Sequence, residues 1–99
     1  NHGFILSDKG WLLSPAYDIN PVETGSGLKL NISDNDNSLN LELALEVSEF
    51  FRLESNRAYA IVEEVKSAVK RWRTIATNYG ILRSEQDIKA IAFQRAEIN

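Results

Sequence analysis

Apolar residues are distributed along the 99-residue chain in two unlike patterns. Near the start they come as short blocks, Phe4-Ile5-Leu6 and Trp11-Leu12-Leu13, on either side of Ser7-Asp8-Lys9-Gly10. Two apolar runs around a short polar turn predict a β-hairpin over residues 3–14, with Gly10 supplying the positive φ that so tight a turn requires. Pro15 and Pro21 bracket Ala16-Tyr17-Asp18-Ile19-Asn20. Proline fixes φ and donates no hydrogen bond, so this stretch cannot extend a strand and reads as a rigid turn. Residues 23–27 end in Thr-Gly-Ser-Gly and read as a loop. Leu28, Leu30 and Ile32 alternate with Lys29 and Asn31, the period-two signature of a third strand. The run from Ser33 to Ser38 is polar and reads as a turn.

From residue 39 onward the period changes to that of helices. Asn40 is placed to cap a helix reaching Phe51, whose Leu43, Val47, Phe50 and Phe51 share one face. Ser55 then caps the longest expected element, Asn56 to about Tyr79. Its stripe is Ala58, Ile61, Val62, Val65, Ala68, Val69, Trp72, Ile75, Ala76 and Tyr79, in steps of three and four. Glu63 and Glu64 precede Lys66, Lys70, Arg71 and Arg73, an order the helix dipole favours. Gly80 sits where a C-terminal cap belongs. Ser84-Glu85-Gln86-Asp87 resembles a capping box and opens a last helix carrying Ile88, Ile91 and Ala92. The expected fold class is therefore mainly α: a short N-terminal hairpin, a third strand, and a three-helix bundle. It forms one domain over 1–99, with a hairpin segment over 1–32 and a helical part over 39–99.

Composition narrows the class of function. A chain with 43% hydrophobic and 25% charged residues is ordinary globular protein. A net charge of −3 argues against a general binder of nucleic acid or anionic membrane. No apolar run approaches the ~18–20 residues of a membrane span, and the N-terminus lacks the layout of a signal peptide. The absence of cysteine excludes disulfides and thiolate metal sites and fits a reducing cytoplasm. Asn-His is not a translation start, so the sequence is expected to be an excerpt or a processed product of a longer chain.

The residues best suited to chemistry are Asn1 and Asp18, at the two ends of the hairpin. Mg²⁺ takes oxygen ligands, only one or two of them from protein, and fills the rest with phosphate and water. Kinases hold it with a catalytic-loop Asn and a later Asp, the general base being an Asp five residues before the Asn. Here that base would precede Asn1. The plainer alternative is that Asn1 is a chain end and Asp18 caps a turn, since both residue types favour turns. His2, the single histidine, has no partners for zinc or nucleophilic chemistry and reads as structural. Asp34-Asn35-Asp36-Asn37-Ser38 begins like a calcium loop, but Leu39 and Leu45 occupy the glycine and glutamate positions, leaving Asx turns. Gly25-Ser26-Gly27 matches no phosphate cradle and reads as a flexible loop. Lys70-Arg71-Trp72-Arg73 looks basic and aromatic, yet Trp72 belongs to the apolar stripe and is expected to be buried, with the cations on a solvated face.

Taken together, Asn-His-Gly-Phe-Ile-Leu followed by Trp-Leu-Leu-Ser-Pro-Ala-Tyr-Asp-Ile-Asn-Pro closely resembles the catalytic-core segment of HipA-family serine/threonine kinase toxins of bacterial toxin–antitoxin systems. Leu-Ala-Leu-Glu-Val-Ser-Glu-Phe-Phe-Arg-Leu and Val-Lys-Arg-Trp-Arg resemble that family's C-terminal helices. The resemblance implies the C-terminal lobe of a kinase-like fold. It makes Asn1 and Asp18 the metal ligands, Asp18 also the contact to the Mg²⁺-bound ATP, and Tyr17 and Ile19 the packing supports of Asp18. It implies phosphorylation of a protein serine or threonine, as on an aminoacyl-tRNA synthetase. It also implies a helix-turn-helix antitoxin through which DNA is reached indirectly. With the base and the ATP-binding lobe outside it, this chain alone is not expected to transfer phosphate. The alternative is a non-catalytic module that binds an antitoxin or another subunit.

Overall fold

The computed structural model describes residues 1–25 and 27–98; Ser26, inside the expected 23–27 loop, and Asn99 lie outside the described residues. Strands β1 (Phe4–Ser7) and β2 (Gly10–Leu13) pair antiparallel, in the register Phe4 to Leu13, Ile5 to Leu12, Leu6 to Trp11 and Ser7 to Gly10. The turn is closed by the Ser7 hydroxyl, which donates to Gly10 O at 2.9 Å and accepts from Lys9 N at 3.2 Å, while Gly10 takes a φ of 107°. The hairpin expected over 3–14 is thus formed.

The alternation over 28–32 does not make a third strand. Leu28 N donates to Asn37 O at 2.8 Å and Ile32 N to Asp36 O at 2.7 Å, so the chain doubles back on itself as a loop. Polar side chains take backbone groups that a ladder would need: Asn37 Nδ2 donates to Leu28 O at 2.6 Å and Asn31 Nδ2 to Asp34 O at 3.1 Å. A single antiparallel bridge, Gly27 to Ser38, is all the pairing that results among the described residues.

Helix α1 (Leu41–Glu46) starts where its cap predicts, the Asn40 side chain accepting from Glu42 N at 2.9 Å. It gives way to a 3₁₀ turn, Ser48–Phe51, ended by Arg52 at a φ of 58°. The tighter winding carries Phe50 and Phe51 off the apolar face, and both are exposed while Leu43 is buried. The expected long helix is interrupted at Lys70 and Arg71, giving α2 (Ser55–Val69) and α3 (Trp72–Asn78). Ser55 is the first residue of α2 and not its cap, a shift of one residue. Gly80 (φ 77°) closes α3: Gly80 N donates to Thr77 O and Ile81 N to Ala76 O, the paired bonds of a Schellman cap.

The last helix, α4 (Arg83–Glu97), begins earlier than the Ser84 box suggests. Leu82 precedes it, and the Glu85 carboxylate accepts Leu82 N at 3.2 Å. Asp87 instead meets Arg73 at 2.9 Å and Arg83 at 3.3 Å. Its inward face is Gln86, Phe93 and Ala96, whereas Ile88 and Ile91 face out. Gln86 is 2% exposed, its Nε2 donating to Thr77 Oγ1 at 3.2 Å and to Ile81 O at 2.9 Å, which ties α4 to the turn after α3.

Helix α4 packs on α2 and α3, and α1 on α2. Trp72 anchors this arrangement, as its place in the stripe predicts. Its ring stacks on Phe93 at 4.2 Å and 8°, its Nε1 donates to Glu97 Oε1 at 3.1 Å, and Arg73 lies 4.5 Å above it. The core is nevertheless thin: only Leu43, Ala58, Trp72 and Ala96 are buried apolar residues among those described. The radius of gyration is 15.9 Å, against roughly 13 Å for a close-packed domain of this length. No helix of the described residues is long and apolar enough to cross a membrane.

Candidate functional site

The hairpin brings the chain's first residue back to the turn between the prolines. Ser14 N donates to Gly3 O at 2.8 Å, and Gly3 N donates to Ser14 Oγ at 2.9 Å. That hydroxyl in turn donates to Pro15 O at 3.0 Å, which fixes the exit of β2. Tyr17 N then donates to Asn1 O at 3.0 Å. Residue 1 is thereby held beside residues 17 and 18, as far apart in sequence as the hairpin is long.

Asp18 stands at the centre of what results. Its φ is 53°, in the left-handed region that aspartate tolerates better than most residues because its short polar side chain can bond locally. The Asn1 amide donates Nδ2–H to Asp18 Oδ2 at 2.8 Å, and the Asn20 amide donates to Oδ1 at 2.6 Å. A carboxylate only accepts, so each amide turns its nitrogen towards it. The structure therefore brings together the two residues singled out from the sequence. It adds Asn20, which the sequence reading treated only as part of the turn. The available signal was its place two residues after Asp18 and directly before Pro21, which disfavours a helical backbone there.

This donor set suits a hard cation. Asp18 offers carboxylate oxygens, an amide oxygen becomes available beside it once an amide nitrogen leaves it, all three residues are exposed, and water or a ligand oxygen can fill the remaining positions. Among the described residues no group of three or more His, Cys, Asp or Glu is placed to form a metal cage. Any cation here relies on amide oxygens and outside ligands as well as on Asp18. The expected packing supports do not form: Tyr17 and Ile19 are 54% and 76% exposed. Tyr17 acts through its backbone and through its hydroxyl, which donates to His2 O at 3.4 Å. The His2 ring meets Phe4 edge-on at 6.3 Å, in keeping with a structural role.

The other candidates resolve locally. Asp36 accepts Ser38 N at 2.8 Å in an Asx turn, and bonds from the Ser38 backbone and hydroxyl hold its carboxyl below the ordinary range. The loop from the hairpin to the helices is joined to α4 by Glu23 and Lys89, and the Lys89 ammonium lowers the Glu23 carboxyl. An open apolar groove of about 700 Å³ runs along α3 and α4, lined by Trp72, Ile75, Tyr79, Ile81, Ile88 and Phe93 among others. Neither Asn1 nor Asp18 lines it.

Comparison with known proteins gives one match. A family model described as HipA-like C-terminal domain matches residues 1–72, a span that takes in the hairpin, Asn1, Asp18 and Asn20 and ends at the first residue of α3. Neither a curated protein nor a solved structure matches the chain.

Proposed function

The chain belongs to the HipA-like C-terminal domain family, and from that premise we propose that it is the metal-holding part of a serine/threonine protein kinase. One observation carries this reading: Asn1 and Asp18, 17 residues apart, meet side chain to side chain at 2.8 Å across the base of the hairpin. Turn residues with no joint role need not converge in this way. In this reading Asp18 supplies the negative charge that holds Mg²⁺ and Asn1 an amide oxygen. The hairpin fixes the distance between the two. The cation, when bound, neutralises charge on the transferred phosphates. The reading also requires a general-base Asp and an ATP-binding lobe, which it does not assign to any of these 99 residues. The reading also brings a protein hydroxyl as substrate and a helix-turn-helix antitoxin as partner.

The test is phosphate transfer from labelled ATP by a longer protein that contains this segment, as wild type, Asp18→Asn and Asn1→Ala. Asp18→Asn removes the charge, and it also sets an amide where two amide donors need acceptors. Transfer is expected to fall by several orders of magnitude, and by less for Asn1→Ala, since a neutral amide is the weaker ligand. Both side chains are exposed, so circular dichroism should report an intact fold. A folded Asp18→Asn protein with undiminished transfer refutes the assignment and favours a module that only binds a partner.

A further inference from the structure

Of the two amides on Asp18, one has a second obligation. For Asn1 to offer its oxygen to a cation beside Asp18, its nitrogen must leave Oδ2. Asn20 is under no such demand. We propose that Asn20 is the positioning residue of the site: its amide fixes the rotation of the Asp18 carboxylate and so sets the affinity for a divalent cation. This rests on the metal reading of Asn1 and Asp18 and adds a third residue to it.

Three features support the assignment. The terminal torsion of an exposed aspartate is broad, so an untethered carboxylate would sample many orientations. The Asn20 amide donates to Oδ1 at 2.6 Å, from two residues along the same turn. This is a charge-assisted bond, the kind that orients a ligand strongly. Finally, both backbones are restrained: Asp18 is held at φ 53°, and the proline that follows Asn20 disfavours the helical region for it. Asn20 thus reaches the carboxylate from a restrained base, while each carboxylate oxygen keeps a further lone pair for the cation.

The experiment is a titration of the 99-residue chain with Mn²⁺, an oxygen-seeking paramagnetic ion, followed by broadening of its backbone amide resonances. In the wild type, broadening should centre on Asp18 and Asn20 and their neighbours, and on the side-chain amide of Asn1. Asn20→Ala should weaken binding about tenfold, the low end for residues that orient a metal ligand, because the site is exposed. The Phe4–Leu13 hairpin resonances should stay in place, and Asn20→Ser, whose hydroxyl can still donate, should recover part of the loss. An unchanged affinity in Asn20→Ala overturns the role of Asn20 while leaving Asp18 as a ligand. Hairpin resonances that move with Asn20→Ala overturn it in favour of a structural role. No broadening around Asp18 in the wild type removes the metal site itself, and this inference with it.

Discussion

Replacing Trp72 with alanine tests the helical part where its packing is most concentrated. Trp72 is 8% exposed and is the largest side chain in a core that otherwise buries Leu43, Ala58 and Ala96. Large-to-small changes of this kind cost about 3–5 kcal/mol, from lost transfer energy and from the cavity left behind. Here the ring borders the open groove along α3 and α4, so water can enter the space and no sealed cavity remains. The loss should therefore lie near the low end, about 3 kcal/mol. Trp72→Phe keeps a ring against Phe93 but removes the Nε1 bond to Glu97, and should cost about 1–2 kcal/mol. Domains of this size carry about 5–15 kcal/mol in total, and a thin core belongs near the bottom of that range. Trp72→Ala should thus consume much of the stability. Urea melts read by far-ultraviolet circular dichroism suit the measurement, because Trp11 would confuse fluorescence. The midpoint should drop by roughly 1–3 M for an ordinary urea dependence. A loss below about 1 kcal/mol would mean that Trp72 does not anchor α3 to α4 and would return it to the basic surface.

Gly80→Ala forces a Cβ into the left-handed conformation (φ 77°) that closes α3. It should cost about 1 kcal/mol and lower the melting temperature by about 4–8 °C; an unchanged melt would show that the cap is dispensable. For Glu23 and Lys89, the folded carboxyl lies below its ordinary value of 4.5 because the Lys89 ammonium donates to it. The linkage therefore stabilises above pH 4.5 and is lost as the pH falls below that value through the folded pKa. A double-mutant cycle of Glu23→Gln and Lys89→Met should show coupling near neutral pH that fades in strong acid and in high salt; coupling that persists in acid would disprove the ionic contact.

The hairpin was legible because its signals are local: two apolar runs, a short turn and a glycine at the position that needs positive φ. The interruption at Lys70 and Arg71 was not, because the three-and-four spacing of the stripe continues unbroken from Val69 to Trp72. The break coincides with a tertiary contact, the stacking of Trp72 on Phe93. The last helix misled for a related reason. Hydropathy favours Ile88 and Ile91, but the buried position belongs to Gln86, whose Nε2 donates to Thr77 Oγ1 and Ile81 O, partners that no periodicity reveals. The strand over 28–32 failed for want of a neighbour to pair with. Asn1 and Asp18 were readable through their motif. Asn20 was hidden because asparagine in a turn ordinarily signals only the turn.

Phe4, Ile5, Leu6, Trp11, Leu12 and Leu13 are between 53% and 68% exposed, so the ribbon that aligns Asn1 with Asp18 gains little from burial. A lone two-stranded ribbon in water is marginal at best. If the ribbon opens for part of the time, a cation held at Asp18 as proposed would bind with its intrinsic dissociation constant divided by the formed fraction. Any protein surface that covers the ribbon brings the fraction towards one and tightens cation binding without touching the cation. By reciprocity the cation strengthens the hold of that surface by the same factor. Metal affinity and ribbon coverage are two readings of one equilibrium.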